Sequence, residues 1–167
     1  MKTLLMVYHS QTGRTQSLIQ AACDGARASC EALLETSDGQ AADGGVQVQV
    51  KLSHARDVDA EAVRHADAFL WATPENFGYM SGELKALFDR TYELVREETA
   101  GRSYGLIVSC GNDGRGAQAS VERIMVGCGM VLAHEVLIVR GDVGEADWAA
   151  AYALGEYMAA ALAVGLI

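Results

Sequence analysis

Apolar runs of strand length alternate with stretches of helical spacing along the whole chain, and this alternation restricts the fold more than any other feature. The predicted strands share an apolar composition and span 3–8, 46–52, 67–73, 104–110 and 130–139. The predicted helices lie at about 15–35, 59–66, 81–98 and 117–128, and from about 145 to the end. Strands separated by helices are typical of a parallel sheet covered on both faces. The pattern predicts an α/β fold, a three-layer doubly wound sheet of five parallel strands.

The second predicted strand differs from the others because VQVQVKL, at 46–52, alternates apolar and polar residues with period two. Such alternation indicates a strand with one solvated face, so this strand is expected at an edge of the sheet. The polar, glycine-containing segment 37–45 before it is predicted to be a mobile loop. With 167 residues, half of them hydrophobic, residues 1–167 are expected to form a single domain with its own core.

Charge and composition exclude several classes of partner. The net charge of −9 provides no basic surface for a phosphate backbone, so no nucleic acid is expected to bind. No apolar run approaches the roughly 18 residues that span a membrane, and MKTLLMVYHSQTG is interpreted as a strand and its turn instead of a signal peptide. We therefore expect a cytoplasmic protein without membrane attachment. The four cysteines form no CxxC pair and the histidines show no ligand spacing, so no metal site is predicted.

The segment HSQTGRTQ, at 9–16, lies between the first strand and the first helix. The hydroxyls of Ser10, Thr12 and Thr15, with backbone N–H groups around Gly13 and Arg14, are expected to converge at the positive end of that helix. Neither GxxxxGK[ST] nor GxGxxG is present, which leaves a terminal phosphate monoester as the favoured anion. Taken alone, however, the segment also fits a simple turn in which a hydroxyl caps the helix.

A second loop follows the third strand in TPENFGYMSGELKALFDRTYE, at 73–93. Pro74 bars Thr73 from helical conformation and is predicted to end the strand, so that Glu75 to Gly78 form a loop. In a strand order of 2-1-3-4-5, the first and third strands flank the point where the order reverses, and ligands bind in that crevice. The two loops are therefore expected to face the same crevice.

The two segments together resemble the flavodoxin-like NAD(P)H-dependent FMN and quinone reductases. Residues 10–15 match the flavodoxin-type S-x-T-G-x-T, and residues 73–90 match T-P-x-x-x-G-x-x-S-G-x-L-K-x-x-x-D-R. The resemblance implies a flavodoxin-like fold and FMN as cofactor, with the 5′-phosphate in the first loop. It also implies that the isoalloxazine ring lies along 74–78 and against the loop after the fourth strand. The cofactor-binding residues carried over in this way are Ser10, Gln11, Thr12, Gly13, Arg14, Thr15, Pro74, Glu75, Asn76, Phe77, Gly78, Cys110, Gly111, Asn112 and Asp113.

The resemblance further implies hydride transfer from NADPH or NADH through FMN to a quinone, a flavin or a similar small acceptor. Because the flavin carries the chemistry, no catalytic side chain is nominated. A flavodoxin-type one-electron carrier is the alternative, and a related domain that binds no flavin is a third. The loop GNDGRG, at 111–116, contains no aromatic residue to cover the ring, which favours the reductase. The Ala-rich last helix and the resembled family indicate a homo-oligomer, a dimer or a tetramer.

Overall fold

A computed structural model describes residues 1–35 and 46–167, so the loop predicted at 37–45 lies outside the described residues. The strands are β1 Lys2–Tyr8, β2 Val48–His54, β3 Ala68–Asn76, β4 Tyr79–Met80, β5 Ser103–Cys110, β6 Val131–Leu132 and β7 Leu137–Arg140. The helices are α1 Arg14–Glu35, α2 Ala60–His65, α3 Gly82–Val95, α4 Arg115–Gly127 and α5 Glu145–Ala163, with a 3-10 turn at Ala55–Asp57. Helices and strands therefore alternate as the hydrophobic pattern predicts.

The main sheet has the order β2-β1-β3-β5, and both β6 and β7 pair with β5 on its other side. All of these pairings are parallel. Since β5 is the fourth long strand and β6 and β7 share the fifth position, the predicted order 2-1-3-4-5 is confirmed. The β2 strand lies at an edge, as its period-two alternation predicts.

The fifth predicted strand, 130–139, is wrong as a continuous element. β6 pairs with the amino end of β5, whereas β7 pairs with its carboxyl end, from Ile107 to Cys110. The break includes His134 and Glu135, two exposed polar residues in the middle of an apolar run. The strand at this edge of the sheet is therefore interrupted at the position where its polar side chains are exposed to solvent.

The predicted end of the third strand at Thr73 is also wrong. β3 continues to Asn76, and Pro74 keeps its register with Ser109 of β5. Proline excludes the helical conformation from the preceding residue, but its own backbone angle is compatible with an extended strand. The strand then turns back into β4, whose antiparallel pairing with β3 adds a hairpin that the sequence pattern did not indicate.

The sheet separates two cores. Leu4 and Met6 face the side covered by α1 and α5, whereas Leu5 and Val7 face the side covered by α2, α3 and α4. On the side covered by α2, α3 and α4, the Trp71 ring stacks on another aromatic ring of β3, and the two ring centroids are 5.0 Å apart. Because side chains of a strand alternate between the two faces, the fully apolar runs in the sequence correspond to strands buried on both sides.

Candidate functional site

The first predicted loop lies at the carboxyl end of β1 and leads directly into α1. Gly13 has a φ of 90°, a conformation that glycine adopts without strain, and its backbone N–H donates to Ser10 Oγ at 3.1 Å. Thr12 is exposed, and the first turn of α1 contains no acidic residue. The structure therefore presents uncharged donors at the positive end of a helix, as the sequence predicts.

Thr15 differs from its neighbours because its side chain is buried. Its Oγ1 lies 2.7 Å from the hydroxyl oxygen of Ser109, near the end of β5, and the two share a hydrogen bond. This bond joins the first loop to the central sheet. Sequence reasoning missed Ser109; the signal available was a hydroxyl at the carboxyl end of an otherwise apolar strand.

The second predicted loop is the turn of the β3–β4 hairpin. Phe77 and Gly78 form this turn with φ values of 53° and 70°. Positive angles at both positions are those of a type I′ turn, in which Asn-Gly is the preferred pair. Phe77 therefore combines a left-handed backbone with a side chain that is fully exposed.

Replacing Phe77 by asparagine is expected to raise the free energy of unfolding by about 1 kcal/mol, because asparagine tolerates the left-handed region better than phenylalanine does. Urea unfolding of the cofactor-free protein measures the change. The control is Phe77→Ala, which removes the ring without relieving the backbone and should give no such gain. Equal stability of the asparagine variant and the original protein would contradict a strained turn at this position.

Three contacts hold the hairpin against α4 and the loop before it. The Gly114 N–H donates to Glu75 Oε2 at 3.3 Å, and the Met80 N–H donates to Ser120 Oγ at 3.0 Å. A Cβ on Gly116 would lie 1.9 Å from the carbonyl oxygen of Gly78, so only glycine permits this approach. Two hydrogen bonds from backbone N–H groups to side chains and one close approach of two backbones therefore hold the hairpin at this position.

Several residues of the second motif support the hairpin and α3 and do not line the cleft described below. Thr73 Oγ1 accepts from the Ser81 N–H at 2.9 Å, and Ser81 Oγ caps α3 by accepting from Leu84 N. On α3, Lys85 pairs with Asp89 one turn later. Ser81 stabilises the start of α3 and the Lys85–Asp89 pair stabilises a later turn, which gives the spacing of these residues a structural explanation.

The third loop, 110–113, follows β5 and forms the opposite wall. Cys110 is buried, and its Sγ lies 3.6 Å from the carbonyl oxygens of Asn112 and Val139. Burial raises the pKa of the Cys110 thiol, and the Glu75 carboxylate adds to this effect. The thiol is therefore held neutral and serves to shape the loop.

A cleft of about 170 Å³ opens between the three loops. It is lined by Gln11, Thr12, Arg14, Thr15, Pro74, Glu75, Asn76, Ser109, Cys110 and Gly111. The other predicted site residues lie on the same loops without lining this cleft: Ser10, Gly13, Phe77, Gly78, Asn112 and Asp113. The structure thus brings all three predicted segments to one place.

His9 precedes the first loop and was not among the predicted site residues. Its ring lies 5.5 Å from that of His54, between centroids, and its Nδ1 is buried without a partner among the described residues. Burial lowers the pKa of His9, and the neighbouring His54 and Arg56 lower it further, while Glu83 opposes them. The residue immediately before the first loop is therefore a histidine whose side chain favours the neutral form.

A doubly wound sheet of this order, with a cleft beyond the carboxyl ends of its first, third and fourth strands, defines the flavodoxin-like class of α/β proteins. In agreement, a flavodoxin from the domain Archaea superposes with a TM-score of 0.76 at 20% identity, covering 94% of this chain and 96% of that one. The family model described as NADPH-dependent FMN reductase matches residues 4–143, and the chain belongs to that family. The resemblance found in the two motifs is confirmed.

Curated relatives of this chain are named as NAD(P)H dehydrogenases (quinone). The probable NAD(P)H dehydrogenase (quinone) FQR1-like 2 of Arabidopsis thaliana is 27% identical over 124 residues, which are 70% of this chain and 45% of that protein. The NAD(P)H dehydrogenase (quinone) of Archaeoglobus fulgidus is 30% identical over 105 residues, which are 58% of this chain and 55% of that protein. The chain spans about half the length of these two curated relatives.

Within residues 1–35 and 46–167, no helix is both long and apolar enough to cross a membrane. The same part of the chain contains no group of three or more His, Cys, Asp or Glu side chains arranged to hold a metal ion.

Proposed function

We propose that this chain binds FMN and is an NAD(P)H-dependent oxidoreductase that passes hydride to a quinone, a flavin or a similar small acceptor. We further propose that residues 1–167 form a single domain that acts in the cytoplasm. We also propose that the protein forms a homo-oligomer, either a dimer or a tetramer. The half-exposed rings of Trp148 and Tyr152 on α5 support this, because a subunit contact would bury them. Family membership and the geometry of the cleft support these assignments.

The first loop has the chemistry that a phosphate monoester requires. Ser10 and Thr12 provide hydroxyls, and the N–H groups of Arg14 and Thr15 begin α1, where no preceding turn of helix supplies them with a carbonyl partner. The cleft is also lined by Arg14, whose charge is partly balanced by Asp142 at 3.4 Å. Since each hydrogen bond to a charged group contributes about 1.5–3 kcal/mol, such a set can hold a phosphate without a lysine. Gln11 lines the same wall.

We assign the flat ring of FMN to the slot between the hairpin and the third loop. In this proposal, residues 74–78 contact one side of the isoalloxazine, and Cys110, Gly111, Asn112 and Asp113 contact the other side or the pyrimidine end. The bond from Gly114 to Glu75 and the close approach of Gly116 to the hairpin keep the slot at one width. Bound FMN supplies two-electron chemistry, accepting hydride from a nicotinamide and releasing electrons to the acceptor.

The observation that carries the choice of a reductase is the absence of any aromatic side chain between Gly111 and Gly116. In this described segment no aromatic side chain is available to stack over a ring from the side of the third loop. A nicotinamide must approach the ring to about 3–3.5 Å for hydride transfer, and a covering aromatic would block it. The uncovered wall supports two-electron transfer and fits a flavodoxin-type one-electron carrier less well.

The test is to load the purified protein with FMN, record its visible spectrum, and follow nicotinamide absorbance with NADPH or NADH and a simple quinone. We expect oxidation well above that catalysed by free FMN. Normal flavin uptake without such oxidation would contradict the reductase in favour of the carrier. A protein that takes up no FMN on titration would contradict the cofactor assignment itself.

A further inference from the structure

Two exposed arginines flank the third loop. Arg115 is the first residue of α4, with a side chain 81% exposed, and Arg140 is the last residue of β7 and is also exposed. The Arg115 guanidinium forms a long ion pair with the Asp113 carboxylate, with Nε 3.9 Å from Oδ2. At this distance the pair is loose, so the charge of Arg115 is available to a ligand.

The two arginines lie on the same side of the loop. Arg140 is opposite Cys110 in the sheet register, and a Cβ built on Gly114 would lie 2.7 Å from Ile138. Side chains two residues apart on a strand share a face, so Arg140 is on the face where Ile138 meets Gly114. Since Arg115 directly follows Gly114, both residues adjoin the part of the loop around Gly114, which we call the rim.

The rim is continuous with the cleft. The Gly114 N–H is bonded to Glu75, which lines the cleft, and Gly116 packs against Gly78 at the turn of the hairpin. Arg115 is the residue between these two contacts. A ligand stacked on the open side of the slot would therefore extend towards Arg115.

Three other arginines form contacts that hold the fold together. Arg102 donates to three backbone carbonyls, Arg64 pairs with Glu61 and Glu98, and Arg90 donates to the backbone after β2. In a chain of net charge −9, two exposed guanidinium groups on residues next to the third loop would attract an anion locally. Arginine is suited to phosphate because its planar donors bind two oxygens together.

We propose that Arg115 and Arg140 bind the 2′-phosphate of NADPH and make the enzyme select NADPH over NADH. This inference depends on the proposed function, because it assigns the co-substrate of the same cleft. The 2′-phosphate is the group by which the two coenzymes differ, and the first loop is assigned to a different phosphate. The rim arginines act on the coenzyme alone, so flavin binding does not require them.

The kinetic test compares Arg115→Ala, Arg140→Ala and the double variant, each loaded with FMN. We expect the KM for NADPH to rise about tenfold in each single variant and more in the double one, since a charge-assisted bond is lost each time. The KM for NADH should change less than about twofold. Arg123→Ala, an exposed arginine later on α4, is the matched control and should leave both constants unchanged.

A binding measurement provides a readout without turnover. Calorimetric titration with adenosine 2′,5′-bisphosphate should show binding that the double variant loses, whereas AMP should bind weakly to both proteins. Equal losses for NADPH and NADH, or an unchanged bisphosphate titration, would overturn the assignment. If FMN-loaded protein oxidises neither coenzyme, the proposed function fails, and the bisphosphate titration still decides whether these arginines recognise a 2′-phosphate.

Discussion

Substitution of Gly155 by alanine is expected to lower the free energy of unfolding by about 3 kcal/mol. Gly155 lies on α5 where this helix crosses α1, and an added Cβ would lie 1.8 Å from the carbonyl oxygen of Ala22. The clashing atom belongs to the backbone, so no side chain can rotate away. The two helices must separate, and the apolar face that contains Leu4 and Met6 loses part of its cover. Urea unfolding followed by circular dichroism measures the effect.

The matched control is Gly82→Ala. Gly82 begins α3, has no positive φ, and a Cβ built on it meets no atom within 4 Å. Alanine should therefore leave stability unchanged or raise it by about 0.5 kcal/mol through its better helix propensity. If Gly155→Ala were as stable as this control, the close crossing of α1 and α5 would be wrong.

Changing Thr12 to aspartate is expected to weaken FMN binding by about 100-fold or more. The exposed Thr12 lines the cleft on the loop assigned to the phosphate, so a carboxylate there would repel the phosphate dianion and remove a donor. The fold should remain intact because the side chain faces solvent. Quenching of flavin fluorescence during titration provides the affinity, and circular dichroism verifies the fold.

Two controls test whether the loss of FMN affinity arises from repulsion between the new carboxylate and the phosphate. Thr12→Asn has nearly the same size as the aspartate variant without its charge, and we expect it to bind FMN within about tenfold of the original protein. Riboflavin lacks the phosphate, so its affinity should be the same for all three proteins. A parallel loss of riboflavin and FMN affinity in the aspartate variant would contradict the assignment of the phosphate to this loop.

The first loop illustrates how far sequence reasoning reaches. Its position after an apolar strand, the glycine at 13 and the absence of lysine were sufficient to predict a turn of uncharged donors at the start of a helix. All of these are properties of neighbouring residues. The bond from Thr15 to Ser109 was not predictable, because it joins residues 94 positions apart and depends on how β1 and β5 align with β3.

The hairpin illustrates the opposite case. Pro74 was interpreted as the end of a strand because proline disfavours helix in the residue before it, and this local rule does not tell whether an extended segment continues. The strand continues past Pro74 because Pro74 pairs with Ser109 of β5 and Asn76 pairs with Tyr79 of β4. The turn at Phe77 also violates the usual preference for Asn-Gly, so no local signal indicated it.

By itself the sequence determined the alternation of strands and helices, the strand order through its motifs, the edge position of β2 and the three segments that meet at the cleft. These follow from side-chain periodicity and from glycine, proline and hydroxyl residues, which act within a few positions of the chain. Only the tertiary structure decided the split of the last strand, the hairpin, the contact of Gly155 with Ala22 and the position of Arg140 opposite Cys110. Those features depend on backbone atoms from distant segments coming within a few ångströms, which no local pattern encodes.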